Sequence, residues 1–139
     1  MTTHSEPTVT EMRLVVTTDD YDEALGFYRD VLGLPQTAVF DSPGGRVTLL
    51  GAGRATLELT DTANAHYVDE VEVGRRVAGP LRVAFEVPDT EVMTRRVAAA
   101  GAVVLAGPTP TPWGSLNTRL EAPAGLQLTL FSGESDIER

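Results

Sequence analysis

The chain has 139 residues, 42% hydrophobic and 22% charged, which is ordinary for one globular domain or for two small halves that share a core. Its formal net charge of −9 argues against nucleic acid and membrane as partners, because nucleic acids and anionic lipids both attract basic surfaces. The absence of cysteine excludes disulfides and thiolate catalysis, and together with the lack of a recognisable signal peptide it favours a cytoplasmic protein.

The first half of the chain predicts the element order β-α-β-β-β. Residues 12–18 are apolar and β-branched, as in a strand, and Asp20 is placed to cap the helix that follows. Apolar residues at helical spacing continue to Gly33, a suitable helix stop. Three alternating runs separated by glycine-containing turns then predict a meander, over residues 37–40, 46–50 and 55–60.

The same order returns in the second half. Residues 81–87 predict a strand, and Asp89 caps a predicted helix that stops at Gly101. Three more strands are predicted, over residues 102–106, 115–121 and 126–131.

Two pairs of residues indicate that the halves are copies of one module. Arg13 matches Arg82, and Asp20 matches Asp89, each at an offset of 69 residues. A module that cannot cover its own sheet would pair with its copy. The alternative is two unrelated halves of ordinary α+β structure.

Three segments carry a family resemblance. They read TTDDYDEALGFYRDVLGLP, VAFEVPDTEVMTRRVAAAGAVV and TPWGSLNTRLEAPAGLQLTLF. In this order they resemble the two helix signatures and the closing hairpin of the vicinal oxygen chelate superfamily, which includes glyoxalase I, bleomycin-resistance proteins and extradiol dioxygenases. The resemblance implies an α+β fold of two βαβββ modules in tandem, forming a curved, open, cup-shaped mixed sheet, usually in a homodimer.

On this basis the chain divides into five parts. The two modules span residues 12–61 and 81–131, and an inter-module loop, longer than is usual, spans residues 62–80. Residues 1–11 are expected to form a flexible N-terminal tail and residues 132–139 a polar C-terminal tail.

The resemblance also implies four inward-facing positions, which in metal-dependent members hold a divalent ion through His, Gln or Glu. In this chain they fall on Arg13, Glu58, Arg82 and Thr129. A guanidinium stays protonated and has no lone pair for a metal, and a threonine hydroxyl replaces a carboxylate poorly. The two histidines, His4 and His66, lie elsewhere in the sequence. We therefore expect no metal and no cofactor.

Three roles are open for Arg13 and Arg82. They can form a structural ion pair with Glu58, because a buried charge must be paired. One of them can instead keep donors for an anionic or quinone-like ligand. In the third case the strand register differs and an arginine points into solvent.

Aromatic residues are further candidates for the ligand site. Trp113 follows the proline-rich stretch GPTPTPWG and can be either an ordinary core or rim aromatic or a stacking surface at the mouth of the cup. Phe40, Phe85 and Tyr67 are lesser candidates of the same kind. Tyr67 lies in the inter-module loop, which can pack across a subunit boundary or cover a neighbouring cup.

Three classes of function follow. The first is a non-catalytic binding protein that sequesters a hydrophobic aromatic compound, such as an antibiotic, as the metal-free, bleomycin-resistance-like branch of the superfamily does. The second is an enzyme of the same superfamily, a lyase, isomerase or dioxygenase. The third is a protein-interaction module that has kept the fold and lost its pocket. We favour the first.

Overall fold

The computed structural model describes residues 9–133, and within them it contains eight strands and three helices. Residues 1–8 and 134–139, most of the two predicted tails, lie outside the described residues. The first module contains β1 (Glu11–Thr18), α1 (Tyr21–Leu25, continued by the π-helical stretch Gly26–Val31), β2 (Gln36–Ser42), β3 (Gly45–Ala52) and β4 (Ala55–Asp61). Next come α2 (Thr62–Glu72) and then β5 (Leu81–Glu86), α3 (Thr90–Ala99), β6 (Val103–Pro110), β7 (Leu116–Glu121) and β8 (Gln127–Ser132).

The eight strands form one open sheet in the order β2-β3-β4-β1-β5-β8-β7-β6. Within each module the first strand pairs in parallel with the last, as β1 with β4 and β5 with β8. The modules meet where β1 and β5 pair in antiparallel. The predicted α+β class and the repeated βαβββ order are therefore confirmed.

The predicted helix caps are present. The Asp20 carboxylate accepts a hydrogen bond from the Glu23 amide at 3.1 Å, and the Asp89 carboxylate accepts one from the Val92 amide at 3.0 Å. Each cap satisfies an amide that the first helical turn leaves without an intrahelical partner. Gly33 follows the first helix with φ +82°, a left-handed conformation that favours glycine.

The two faces of the sheet bury different kinds of side chain. On the face that we call the helix face, α1 and α3 each cover an apolar cluster of their own module, around Leu59 and Leu120 respectively. The opposite face, here called the inner face, carries Arg13 and Val15, because side chains alternate along β1. The polar candidates of the sequence therefore lie apart from the two main apolar clusters.

The segment 62–80 differs from the predicted loop, because its first part is the helix α2. The Asp61 carboxylate caps this helix by accepting from the Asn64 amide at 2.8 Å. The helix lies across the inner face, where Val68 is buried, and it reaches from β3 and β4 of the first module to β6 and β7 of the second. The expected open cup is thus covered by a helix of the same chain.

Tyr21 makes the stability of the helix face depend on pH. Its buried hydroxyl hydrogen-bonds to Thr48, and its ring lies under the Arg46 guanidinium, at 4.3 Å from ring centroid to Cζ. Burial raises the pKa of the Tyr21 hydroxyl above its usual 10.0, against the opposing effects of Thr48 and Arg46. The unfolded chain then releases this proton first, so the stability that Tyr21 contributes is present below about pH 10 and is lost above it.

We expect the free energy of unfolding of Tyr21→Phe to fall less steeply above pH 10 than that of the wild type. At pH 7 the variant should be less stable by about 0.5–1.5 kcal/mol, because it lacks the hydrogen bond to Thr48. Urea unfolding at pH values from 7 to the alkaline range measures both effects. Tyr28→Phe, in a side chain that packs on the same cluster, is the matched control and should keep the alkaline dependence. An unchanged pH profile in Tyr21→Phe would contradict the assignment.

Candidate functional site

The four predicted positions converge on the inner face of the sheet. Strand register places Val15 of β1 between Glu58 of β4 and Arg82 of β5, and it places Ala84 between Arg13 and Thr129. The arginines are only 7% (Arg13) and 8% (Arg82) exposed. The alternative in which an arginine points into solvent is therefore excluded.

Arg13 is held by carboxylates of the first module. Its guanidinium lies 3.0 Å from Glu11 and 3.6 Å from Glu58, measured between nitrogen and oxygen atoms. Its Cζ also lies 5.0 Å from the centroid of the Phe131 ring, within the range of a cation–π contact. Glu58 thus forms the ion pair that the sequence suggested, and it forms it with Arg13.

Arg82 has a different environment. It donates a hydrogen bond of 2.7 Å to the Thr129 hydroxyl, so these two predicted residues are in direct contact. Burial lowers the pKa of the Arg82 guanidinium and the nearby Arg119 charge lowers it further, whereas Glu72 and Glu58 act in the opposite direction. The carboxylates around Arg82 therefore come from both the sheet and α2.

A third arginine, Arg119 on β7, was not predicted. It is 0% exposed and makes three charge-assisted hydrogen bonds to two carboxylates of α2. Its Nη1 donates to Asp69 at 2.7 Å, and its Nε and Nη2 donate to one oxygen of Glu72 at 3.1 and 2.9 Å. Strand alternation could have identified Arg119, because Arg119 pairs with Thr129 and both side chains point to the same face.

Amides complete the buried polar network. Asn117 donates to the second Glu72 oxygen at 2.7 Å, and the Gln127 oxygen accepts from Arg119 at 2.7 Å. The second oxygen of Asp69 accepts from the backbone amides of Val77 and Ala78, both at 2.9 Å. The network therefore ties the sheet, α2 and the segment that follows α2 into one unit.

Trp113 and Tyr67 are in contact with each other near this network. Trp113 is 3% exposed, and its ring centroid lies 6.0 Å from that of Tyr67 on α2 at an interplanar angle of 54°. A cavity of about 20 Å³ remains beside Trp113, lined among others by the buried arginines Arg13 and Arg82 and by Phe131. This volume holds about one water molecule, so the inner face as described has no room for a larger ligand.

The two other aromatic candidates lie outside this group. Phe85 alternates with Ala84 on β5, so it points to the helix face and packs in the cluster beneath α3. Phe40 lies on β2, an outermost strand, and lines a separate depression of about 250 Å³. The aromatic ring that does lie on the inner face of the second module is that of Phe131, which was not a predicted site residue.

The donor set does not fit a divalent metal. At the four family positions, Glu58 is the sole carboxylate and two of its companions are arginines. His66 lies on α2 and lines another depression, of about 650 Å³, at the end of β1. Within residues 9–133, no three His, Asp or Glu side chains are grouped in a way that could hold a metal ion.

Comparisons with known proteins agree with the fold. Residues 12–130 match the Glyoxalase/Bleomycin resistance protein/Dioxygenase superfamily, and the chain therefore belongs to it. No significant match was found among curated proteins. None of the helices in the described part of the chain has the length and hydrophobicity needed to cross a membrane.

Solved structures share this fold at low sequence identity. A hypothetical protein from Bacillus halodurans has a TM-score of 0.67 and 18% identity over 91% of this chain and 96% of its own. A superfamily member from Vibrio splendidus has a TM-score of 0.64 and 14% identity, covering 88% and 97% respectively. Methylmalonyl-CoA epimerase from Mycobacterium tuberculosis has a TM-score of 0.66 and 17% identity, covering 96% and 94%.

Proposed function

We propose that the protein is a small-molecule binding member of its superfamily, which holds a hydrophobic aromatic compound on the inner face without a metal. The observation that carries this proposal is the set of three buried arginines, Arg13, Arg82 and Arg119, on the face that resembles the superfamily's ligand cup. Guanidinium groups recognise carboxylates and carbonyl-rich groups through planar, directed hydrogen bonds.

Aromatic side chains beside the arginines support an aromatic ligand. Trp113 and Phe131 both line the small inner-face cavity. Their rings can contact a planar ligand while the arginines bind its polar groups, the usual division of labour in a small-molecule site. We include antibiotics among the candidate ligands. A role in antibiotic resistance, a cytoplasmic location and assembly as a homodimer remain predictions from the sequence.

The decisive experiment combines metal analysis with ligand titration. We expect purified protein to contain no stoichiometric zinc, nickel, iron or manganese, and we expect Trp113 fluorescence to change saturably with one class of aromatic compound. The panel should contain aromatic antibiotics and glutathione adducts. Stoichiometric metal would contradict the binding role and favour an enzyme. Absence of both metal and a fluorescence response would favour an interaction module.

Arg82→Ala tests the polar part of the site. If the ligand is anionic or rich in carbonyl groups, the substitution should weaken its binding by about 1.5–3 kcal/mol, the range for hydrogen bonds to charged groups. Calorimetric titration with the compound that changes Trp113 fluorescence measures this loss. Arg54→Ala, which replaces an exposed arginine, is the control. A variant that loses stability but binds with unchanged affinity would assign Arg82 a structural role alone.

The alternative is an enzyme of the superfamily. Its support is that methylmalonyl-CoA epimerases are among the proteins with similar structures. The inner face offers carboxylates for proton transfer, chiefly Glu58 and Glu72, although both contact arginines. An epimerase assay on methylmalonyl-CoA, run with and without added divalent metal, tests this alternative directly.

A further inference from the structure

We propose that α2 acts as an internal substitute for the ligand, with Asp69 and Glu72 occupying the place of two acidic groups of a compact aromatic dianion, such as an aromatic dicarboxylate. This inference rests on the proposed function and names the ligand class of the same site. It also implies that the described structure is a closed state, in which the ligand must displace α2.

The first support is the way in which α2 presents its acids. Asp69 and Glu72 are one helical turn apart and both bind the guanidinium of Arg119, through different nitrogen atoms. Each is almost fully buried. One planar guanidinium thus receives two carboxylates side by side, as it would receive the two acid groups of one small ligand.

The second support is the number of hydrogen bonds that one carboxylate receives. Glu72 accepts from Arg119 and Asn117, and its nearer oxygen lies 3.5 Å from the Thr129 hydroxyl. Thr129 in turn accepts from Arg82. These three partners of Glu72, and Arg82 behind them, are all on the sheet, so they form a ready carboxylate-binding site whether the acid comes from α2 or from a ligand.

The third support is the charge that remains when α2 leaves. The described inner face would then retain Arg82 and Arg119, while Glu58 already pairs with Arg13. A ligand that takes the place of α2 would cover these two guanidinium groups again, and covering them without a counter-charge is unfavourable. A dianion replaces both helix carboxylates, whereas a neutral aromatic compound replaces neither.

The fourth support is how α2 is attached. Its Tyr67 ring rests against Gly44, where an added Cβ would lie 2.7 Å from a ring carbon. Beyond its C-terminus, Gly74 has φ +82° and begins the exposed stretch of residues 74–76. The helix is thus fixed by side-chain contacts at its centre, and the chain beyond Gly74 returns to it through the Val77 and Ala78 amides, which bond to Asp69. Displacement of α2 would therefore carry this segment with it.

The test uses Glu72→Gln, which removes the charge and keeps the shape of the side chain. Isophthalate serves as the dianion, benzoate as the monoanion and dimethyl isophthalate as the neutral compound, each titrated by calorimetry. We expect Glu72→Gln to bind isophthalate about tenfold more tightly than the wild type, in keeping with the strength of hydrogen bonds to charged groups. Benzoate should gain less, and dimethyl isophthalate should be unchanged.

Two further variants make the result specific. Glu70→Gln removes a charge from the exposed side of the same helix and should leave all three affinities unchanged. Gly44→Ala changes no charge but pushes against Tyr67, so it should also tighten isophthalate binding by loosening α2. If Glu72→Gln fails to fold, as judged by circular dichroism, Gly44→Ala decides the question alone.

The outcomes separate this inference from the proposed function. Tighter isophthalate binding in Glu72→Gln and Gly44→Ala, but not in Glu70→Gln, supports both. If folded Glu72→Gln and Gly44→Ala bind isophthalate no more tightly than the wild type while the neutral ester still binds, the inference is wrong and the binding role stands. If no variant binds any of the three compounds, the inference fails, and the Trp113 fluorescence titration against the wider panel decides whether the aromatic-binding role stands.

Discussion

Replacing Arg119 by methionine is expected to lower the free energy of unfolding by about 3–5 kcal/mol, because it leaves the buried Asp69 and Glu72 carboxylates without their main cation. Arg119 is 0% exposed, and its Nη1 and Nη2 lie 2.7 Å from Asp69 and 2.9 Å from Glu72. Urea unfolding, followed by circular dichroism and by Trp113 fluorescence, measures the loss.

Two companion variants separate charge from packing. Arg95→Met, on the exposed side of α3, should change stability by no more than about 0.5 kcal/mol. Arg119→Met combined with Glu72→Leu should recover part of the loss, since replacing both members of a buried ion pair is often neutral or stabilising. A loss below about 1 kcal/mol in Arg119→Met alone would show that water reaches the network.

Replacing Phe131 by alanine should cost about 3–5 kcal/mol, the range for removing a buried aromatic ring. Phe131 packs with Val15 and Ala84 on the inner face, lies beneath the Arg13 guanidinium and lines the small cavity. Its loss enlarges that cavity beside Trp113. Benzene fits the vacated ring position, which is bordered by Val15 and Ala84 and lies beneath the Arg13 guanidinium, so it should restore part of the stability. Thermal unfolding with and without benzene measures both effects.

The matched control is Phe27→Ala, which removes a ring that is 53% exposed on the helix face. This variant should lose much less stability and should not respond to benzene. Equal losses in the two variants would contradict the placement of Phe131 in the inner-face core.

Local patterns predicted the strands well, but the shared polar face came from the family resemblance. The resemblance implied that Arg13, Glu58 and Arg82 face inward together, and the strand register now places them on one face. The caps Asp20 and Asp89 were also visible, because a helix N-terminus has a short-range chemical signature. The strands and the caps could be predicted because each depends on residues that are near one another in the sequence.

The helix α2 could not be predicted in the same way. Its buried residues include Asn64, Asp69 and Glu72, so it has no apolar stripe at helical spacing. Its inward side is polar because it faces arginines of the sheet. Hydrophobic periodicity detects helices that cover apolar surfaces, and it misses a helix that is held by ion pairs.

The sequence left the environment of Trp113 undecided because the residues around it are distant in the chain. The proline-rich stretch before it gives its position in the chain but not what covers it. Its burial depends on Tyr67 of α2, which is far away in the sequence. Phe85 was wrongly included among the ligand candidates. It lies three residues after Arg82 on the same strand, so its side chain points to the opposite face, the helix face.

The two halves of the chain, divided after α2, have unlike electrical characters. The first 73 residues carry thirteen acidic and four basic side chains, whereas residues 74–139 carry seven of each. Although the modules share one element order, two copies of the first half would repel each other, and neither copy would supply a partner for Asp69 and Glu72. Arg119 of the second half supplies that partner. The acidic connecting segment is therefore held electrostatically by the second half of the chain and not by the half that precedes it.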